Sequence, residues 1–190
     1  MPSGKPKLGA DDISIKKLKE EYMPLISAFS CAGKDEEDFL KKDALQHQKL
    51  GLSETFLLIE NNGNKLISYI TLSFGSFQMS ENTPLGGIPI IEKQTHIFST
   101  HMPCLLIGKL ATDKNCEGRG GATFLLEFAA QTGVKINAIL ALPFMALHSR
   151  PDKVQYYKNR DFLIAFSPDK KGADTITMCR SLMEKCVNKP

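Results

Sequence analysis

Apolar segments separated by polar turns predict most of the strands of this chain. Residues 55–59 and 65–77 are rich in apolar, β-branched and aromatic side chains, and the sequence Asn-Asn-Gly-Asn lies between them at 61–64. Because Asn and Gly tolerate positive φ, this arrangement predicts a β-hairpin. Further strands are predicted at 104–111, at 136–142 (ended by Pro143), at 162–166 and at 175–181.

Helical patterns precede and separate these strands. Helices are predicted at 16–21, at 35–50 (ended by Gly51), at 122–132 (capped by Gly133) and in a short segment that runs to about Asn159. The short segment begins with a capping-box spacing between Ser149 and Asp152 and has Pro151 near its start. The mixed order of helices and strands predicts an α+β or α/β fold with one central sheet.

Composition indicates one globular domain. The chain has 190 residues, of which 42% are hydrophobic and 24% charged, so we expect a single domain over residues 1–190. Residues 1–12 are rich in Lys, Gly and Pro, which predicts a flexible N-terminal segment without a signal peptide. No apolar run approaches the roughly 18 residues of a membrane span, and no membrane partner is expected. The net charge of +3 permits an anionic ligand without requiring one.

Cysteine and histidine usage bears on location and metal binding. Five cysteines, an odd number without paired spacing, suit a reducing compartment, and we expect the protein to be cytoplasmic. The motifs CxxC and HExxH are absent, and His96 and His101 do not share a helix or strand face cleanly. No metal site is therefore expected.

Glycines are concentrated between the strand at 104–111 and the helix after it. The stretch 117–123, here termed the glycine loop, reads Glu-Gly-Arg-Gly-Gly-Ala-Thr. Glycine lets the backbone approach a ligand, and unpaired N–H groups at a helix start attract anions, so the loop predicts a phosphate or pyrophosphate site. A tight turn that binds nothing is the alternative. No Lys follows Gly121 as a P-loop requires, and a dinucleotide fingerprint needs Gly or Ala in place of Thr123.

The glycine loop resembles the pyrophosphate motif Gln/Arg-x-x-Gly-x-Gly/Ala of the GNAT acetyltransferases, with Glu117 at the position of Gln or Arg. The preceding sequence Leu-Ala-Thr-Asp at 110–113 is similar to the strand that leads into that motif. Tyr156-Tyr157 and the later Phe162 resemble the family's tyrosine helix and next strand, although Asp161 replaces the usual Gly. The resemblance covers roughly residues 25–182. Segments similar to the branch that contains aminoacyl-tRNA-acetylating toxins lie at 29–33, 40–44 and 103–111.

The resemblance implies a fold, an activity and a set of site residues. The fold is a single central mixed, mostly antiparallel sheet flanked by helices, and the activity is that of an acyltransferase that moves acetyl from acetyl-CoA directly to an amine, without a metal. Tyr157 would donate a proton to the departing thiolate. The coenzyme would be bound by Leu110, Ala111, Thr112, Glu117, Gly118, Arg119, Gly120, Gly121, Ala122 and Thr123.

The residues around this implied site leave the base and the acceptor open. No general base stands out among the candidates, which are Glu54, Glu60, His96, His101 and His148. A reaction without a base favours an α-amine, with a pKa of about 7.7–8.0, over a Lys amine, with a pKa of about 10.4. Near the tyrosine helix the cationic side chains outnumber the acidic ones, which suits either a phosphate backbone or a solvated helix face. These cationic residues are Arg150, Lys153, Lys158 and Arg160.

Three functions therefore stay open at the level of sequence. The main hypothesis is an N-acetyltransferase acting on an unidentified amine. One alternative is an enzyme similar to the aminoacyl-tRNA-acetylating toxins, with charged tRNA as partner, and the other is a catalytically silent GNAT-fold binding module, which Glu117 favours. The insertion at 78–102 is expected to contact the acceptor, and packing within the subunit or in a homodimer is the other use for it.

Overall fold

The structure, a computed structural model, describes residues 6–62, 64–78, 101–166 and 174–183. The chain divides into two compact units, one of Met1–Ser73 and Ile107–Ala129 and the other of Phe74–Leu106 and Ala130–Pro190. Residues 79–100, which form most of the predicted insertion, lie outside the described residues.

The described strands are β1 (Ile13–Lys17), β2 (Glu54–Glu60), β3 (Lys65–Gln78), β4 (His101–Thr112), β5 (Phe144–Ser149), β6 (Leu163–Phe166) and β7 (Ile176–Ser181). The described helices are α1 (Met23–Ala28), α2 (Lys34–Asp38), α3 (Ala44–Lys49), α4 (Gly121–Asn137) and α5 (Val154–Lys158), and a π-helical turn (Phe39–Asp43) joins α2 to α3. No helix among these is long and apolar enough to cross a membrane.

Within the described ranges the strands form one seven-stranded sheet in the order β1-β2-β3-β4-β5-β7-β6. The pairs β1–β2, β2–β3, β5–β7 and β6–β7 are antiparallel. The predicted central sheet, mixed and mostly antiparallel with flanking helices, is confirmed.

The first unit is built on the predicted hairpin. β2 and β3 pair from Glu54 opposite Leu72 to Glu60 opposite Lys65, and Asn64 in the turn has a φ of 43°. The predicted helix at 35–50 is also confirmed as α2, the π turn and α3, with Gly51 at a φ of 69° behind it. Together with α1 and its flanking segments, these elements bury one apolar cluster, which includes Leu18, Ile26, Phe29, Leu40, Leu57 and Tyr69.

The α-helix predicted at 16–21 does not form, because Lys16 and Lys17 belong to the edge strand β1 and only Glu20–Tyr22 form a short 3-10 turn. Ile13 lies opposite Glu60 and Lys17 opposite Phe56 in the pairing with β2. The charged pattern at this position is that of an edge strand, where lysines discourage pairing with another sheet. The Lys17 ammonium also lies 2.8 Å from the Glu54 carboxylate on β2.

In the second unit, the strand predicted at 136–142 is wrong. Helix α4 continues to Asn137, and β5 begins only at Phe144, after Pro143. The apolar residues Ile139 and Leu140 that suggested a strand are 83% and 58% exposed. The side-chain oxygen of Asn137 accepts a hydrogen bond from the Leu142 amide at 2.9 Å, which closes the turn after the helix.

Two smaller expectations for the second unit are also wrong. Gly133 does not cap a helix but lies inside α4, where a Cβ would come within 2.6 Å of a Leu182 methyl group. The glycine therefore permits close packing. The capping box at 149–152 does not form, because the Ser149 hydroxyl donates to the Arg150 carbonyl. The short helix α5 and the last two strands are confirmed.

Candidate functional site

The glycine loop connects β4 to α4 through a 3-10 turn (Lys114–Cys116). Gly118 has a φ of 81° and Gly120 a φ of 93°, values that other residues rarely adopt. A Cβ built on either glycine would have no atom within 4 Å, so both face open space. The backbone at these two positions is therefore accessible to a ligand.

The loop presents several backbone donors. The amides of Gly118, Gly120, Gly121 and Ala122 donate to no acceptor among the described residues. They stand at the N-terminus of a 17-residue helix, where the helix dipole is positive. The amide of Thr123 differs, because it donates to the Gly120 carbonyl at 3.0 Å. Four of the predicted loop amides are thus available to an anion.

Gly121 serves packing rather than ligand approach. It is buried, and a Cβ there would lie 2.5 Å from the Ser68 hydroxyl and 3.0 Å from an Ile67 methyl group. The Ser68 hydroxyl is also 2.8 Å from that of Thr112 at the end of β4. The start of α4 therefore packs directly on β3.

The strand residues predicted to bind the coenzyme lie at the end of β4. Leu110, Ala111 and Thr112 are all half-buried. Ala111 packs against the apolar cluster of the first unit, and the hydroxyl of Thr112 bonds to Ser68. Their side chains therefore hold the strand in place, and any pairing with a ligand would use the backbone.

Asp113, which the sequence did not single out for its side chain, fixes the start of the loop. Its carboxylate is buried and accepts from the amides of Ser30 at 3.1 Å and Asn115 at 2.9 Å. The Lys65 ammonium lies 3.6 Å away, and the Lys114 amide donates to the Ser30 carbonyl. The predictive signal is slight, because Ser30 and Asp113 are 83 residues apart.

Arg119 and Glu117 behave differently within the loop. The Arg119 guanidinium donates to the Glu60 carboxylate at 2.6 Å and to the Pro6 carbonyl at 3.2 Å. The Glu60 contact raises the pKa of Arg119. Glu117 is exposed and has no ion pair among the described residues. Arg119 is therefore committed to Glu60 and does not offset the charge of Glu117.

The N-terminal segment, expected to be flexible over residues 1–12, makes specific contacts where it is described. Leu8 is buried, and its amide donates to the Arg119 carbonyl at 3.2 Å. The backbone amide of Asn61 donates to the Asp12 carbonyl, and the side-chain amide of Asn61 donates to the backbone carbonyl of Asp11. Residues 6–12 thus lie along the glycine loop and the end of β2.

Tyr157 lies on α5 in the second unit. Its ring is half-buried and makes edge contacts with Tyr156, at 5.2 Å between centroids, and with Phe162, at 5.6 Å. The two tyrosine rings are therefore neighbours although they differ by one helical position. Asp161 has a φ of 63°, so the position where the family has glycine keeps the left-handed backbone.

The charged groups around α5 are partly paired. Asp152 lies 3.4 Å from both Arg150 and Lys153, and the Arg160 guanidinium stacks 3.6 Å from the Tyr156 ring centroid. Lys158 is exposed and has no ion pair in the described part of the chain.

Most of the candidate bases have other partners. Glu54 pairs with Lys17, Glu60 pairs with Arg119, and the ring of His148 lies 3.1 Å from the Thr177 hydroxyl. His101 is exposed at the start of β4, and His96 lies outside the described residues. The described residues contain no group of three or more His, Cys, Asp or Glu side chains placed to hold a metal ion.

No known protein-family model matches the chain. Solved structures do match its fold. A structure described as a bacterial toxin has a TM-score of 0.73 at 14% identity over 90% of each chain. The toxin AtaT in complex with acetyl-methionyl-tRNAfMet has a TM-score of 0.71 at 17% identity, over 87% of this chain and 94% of that one.

A third structure, AtaTR bound with acetyl-CoA, has a TM-score of 0.68 at 16% identity, over 90% of this chain and 94% of that chain. Agreement over nearly the whole length at such low identity establishes the fold. The chain therefore has the GNAT fold of these toxins, which is the fold that its glycine loop and tyrosine helix led us to expect.

Proposed function

We propose that this chain is an acetyl-CoA-dependent N-acetyltransferase whose acceptor is the α-amino group of an aminoacyl-tRNA. The observation that carries the proposal is the glycine loop. Two glycines with positive φ stand at the start of α4, together with four backbone amides that have no acceptor in the described part of the chain. Such an arrangement is suited to a pyrophosphate group.

The residues present fit acetyl-CoA. The amides of Gly118, Gly120, Gly121 and Ala122 would bind the pyrophosphate, and a side chain at Gly120 would enter the open space that this group needs. The backbone of residues 110–112 would pair with the pantetheine amides. Glu117 is exposed and can direct its carboxylate into solvent, which reduces its repulsion of the phosphates.

The proposed chemistry is a direct transfer. The amine nitrogen attacks the thioester carbonyl, the C–N bond forms and the C–S bond breaks. The thiolate takes a proton, for which we propose Tyr157 as donor, the attacking nitrogen loses one proton to solvent, and Tyr157 regains its proton from solvent. An α-amine, partly neutral near neutral pH, can react without a dedicated base.

Two observations support charged tRNA over other amines. AtaT, whose fold this chain shares, was solved with an acetylated methionyl-tRNA. The region of α5 also carries the exposed cationic residues Arg150, Lys153 and Lys158. The acidic residues there are Asp152, which pairs with Arg150 and Lys153, and Asp161. The four described cysteines are free and buried, which supports a reducing compartment, and we propose the cytoplasm.

The test is release of coenzyme A thiol from acetyl-CoA with separate acceptor pools: aminoacyl-tRNAs, uncharged tRNAs, small amines and peptides. The proposal expects release with aminoacyl-tRNA, none with uncharged tRNA, and acetylated amino acid after hydrolysis of the product. Release with small amines or peptides instead would favour the general amine acetyltransferase. Thiol release that is unchanged in variants of Arg119 and Gly120 would come from a contaminating enzyme.

A catalytically silent module is the second candidate, favoured by Glu117 at the place of Gln or Arg. It expects calorimetric binding of acetyl-CoA without thiol release in any pool. The variant Glu117→Gln distinguishes an enzyme weakened by its carboxylate, which gains thiol release on the substitution, from a silent module, which still releases no thiol. It removes the repulsion and should bind acetyl-CoA as well as the wild type or better.

A further inference from the structure

We infer that Glu60 is a positioning residue for the glycine loop and acts through Arg119. The inference rests on the proposed function in one respect only: the loop is taken to bind the pyrophosphate of acetyl-CoA. Glu60 stands at the end of β2, and its carboxylate oxygen lies 2.6 Å from the Arg119 guanidinium.

The loop has few side chains that can fix its shape. Gly118 and Gly120 flank Arg119, have no Cβ and adopt φ values of 81° and 93°. Glycine has more backbone freedom to lose than any other residue. If the loop were unrestrained, losing that freedom on ligand binding would cost entropy and weaken the affinity. Arg119 is the residue between them, and fixing it restrains both neighbours.

Hydrogen bonds hold both the side chain and the backbone of Arg119. Its side chain donates to Glu60 and to the Pro6 carbonyl, and its own carbonyl accepts from the Leu8 amide. The side chains of Arg119 and Glu60 are only 18% and 22% exposed. A charge-assisted hydrogen bond with so little solvent contact holds its geometry better than an exposed ion pair does.

A competing role makes the opposite prediction. If Arg119 bound phosphate directly, Glu60 would compete with the ligand for the guanidinium, and removing its carboxylate would tighten binding. If Arg119 fixes the loop, removing the carboxylate weakens binding. Glu60 as a general base would differ again, because its loss would lower kcat rather than affinity.

The experiment compares wild type, Glu60→Ala, Glu60→Gln and the matched control Glu20→Ala. Glu20 forms an ion pair of the same 2.6 Å length with Lys49, away from the glycine loop. Calorimetry with acetyl-CoA should give a Kd raised about tenfold in Glu60→Ala and less in Glu60→Gln, which keeps an oxygen acceptor. Glu20→Ala should bind like the wild type.

Two readouts separate positioning from other roles. The KM for acetyl-CoA should rise in Glu60→Ala while kcat at saturation stays close to that of the wild type. Amide hydrogen exchange without ligand should become faster at 117–120 in Glu60→Ala and remain unchanged there in Glu20→Ala. Because Arg119 transmits the effect, adding Glu60→Ala to Arg119→Ala should cause little further loss of affinity.

Unchanged or tighter binding in a folded Glu60→Ala protein overturns the inference, and so does a fall in kcat at unchanged KM. If Glu60→Ala does not fold, the milder Glu60→Gln variant decides by the same criteria. The exchange measurement needs no ligand. Faster exchange in a protein that binds no acetyl-CoA would therefore retain the positioning role and reject the proposed function.

Discussion

Gly120 allows the sharpest test at the scale of single residues. We expect Gly120→Val to weaken acetyl-CoA binding tenfold or more, equivalent to about 1.4 kcal/mol, because a branched side chain would fill the open space above the loop. Isothermal titration calorimetry on the folded variant measures this. Unchanged affinity would show that the glycine loop is not the pyrophosphate site.

Gly51 provides the matched control for backbone strain. It also has a positive φ, 69°, and a Cβ there would meet nothing within 4 Å, but it lies behind α3 and outside the glycine loop. Gly51→Val should lower the free energy of unfolding through backbone strain, as Gly120→Val does, but it should leave the Kd for acetyl-CoA unaltered.

Tyr157 is the residue on which the proposed chemistry depends. Tyr157→Phe keeps the ring contacts with Tyr156 and Phe162, so we expect nearly unchanged affinity for acetyl-CoA and a turnover roughly 10²–10⁴-fold lower. Steady-state kinetics with the acceptor found by thiol release measures this. Tyr156→Phe is the control. If Tyr156→Phe slows turnover while Tyr157→Phe does not, Tyr156 is the proton donor instead.

Residue chemistry was predictable from sequence only where it is local. The glycine loop is recognisable from seven consecutive residues, and glycine at 118 and 120 is consistent with the positive φ found at both positions. The partners of Asp113 and Arg119 could not be predicted, because the chain brings them from 83 and 59 residues away. A carboxylate such as Glu60 has no sequence signal that distinguishes an ion-pair partner from a base.

At the scale of elements, Glu37 joins α2 to the segment after α1. Its carboxylate accepts from Lys41, from the Cys31 amide and from the Ser30 hydroxyl, and these bonds lower its pKa from 4.5 to about 2. A carboxylate whose pKa is lower in the folded state than in the unfolded state stabilises the fold at pH values above its unfolded-state pKa. This stabilisation is lost as the pH falls towards the folded-state pKa. The contribution is thus complete above pH 4.5 and disappears towards pH 2.

Urea denaturation of Glu37→Gln at several pH values tests this. The variant should have a lower free energy of unfolding than the wild type at neutral pH, and the difference should shrink between pH 4.5 and 2. Asp38→Asn on the same helix is the control, because its ion pair with Lys42 is exposed and should contribute little. A difference that stays constant with pH would contradict the assignment.

Elements were predicted correctly where pattern and burial agree. β2, β3, β4 and the helix at 35–50 each bury most of the apolar residues that identified them, although Phe74 on β3 is 65% exposed. The strand predicted at 136–142 failed because Ile139 and Leu140 are apolar but exposed, and a short apolar run does not distinguish a helix end from a strand. β1 was missed because its pairing with β2 outweighs its charged pattern.

For the whole molecule, the proposed tRNA acceptor implies a salt dependence that a small amine would not show. Raising the salt concentration should increase the KM for aminoacyl-tRNA, because each cationic contact with a phosphate releases counterions. Lys158→Gln should raise that KM and reduce the salt slope by about 1, without changing the Kd for acetyl-CoA. The control is Lys42→Gln, which changes an exposed lysine that forms an ion pair with Asp38, whereas Lys158 has no ion pair within the described ranges.

The pairing of Pro6 with Arg119 also bears on the order in which the protein folds. The two residues are 113 positions apart, so the contact cannot form until Arg119 has been synthesised. Contacts of such long sequence separation form slowly, and we expect the glycine loop to reach its final shape late in folding. Acetyl-CoA would then stabilise the protein by slowing unfolding rather than by speeding folding. A newly made chain would then bind acetyl-CoA only after residues 6–8 have packed against Arg119.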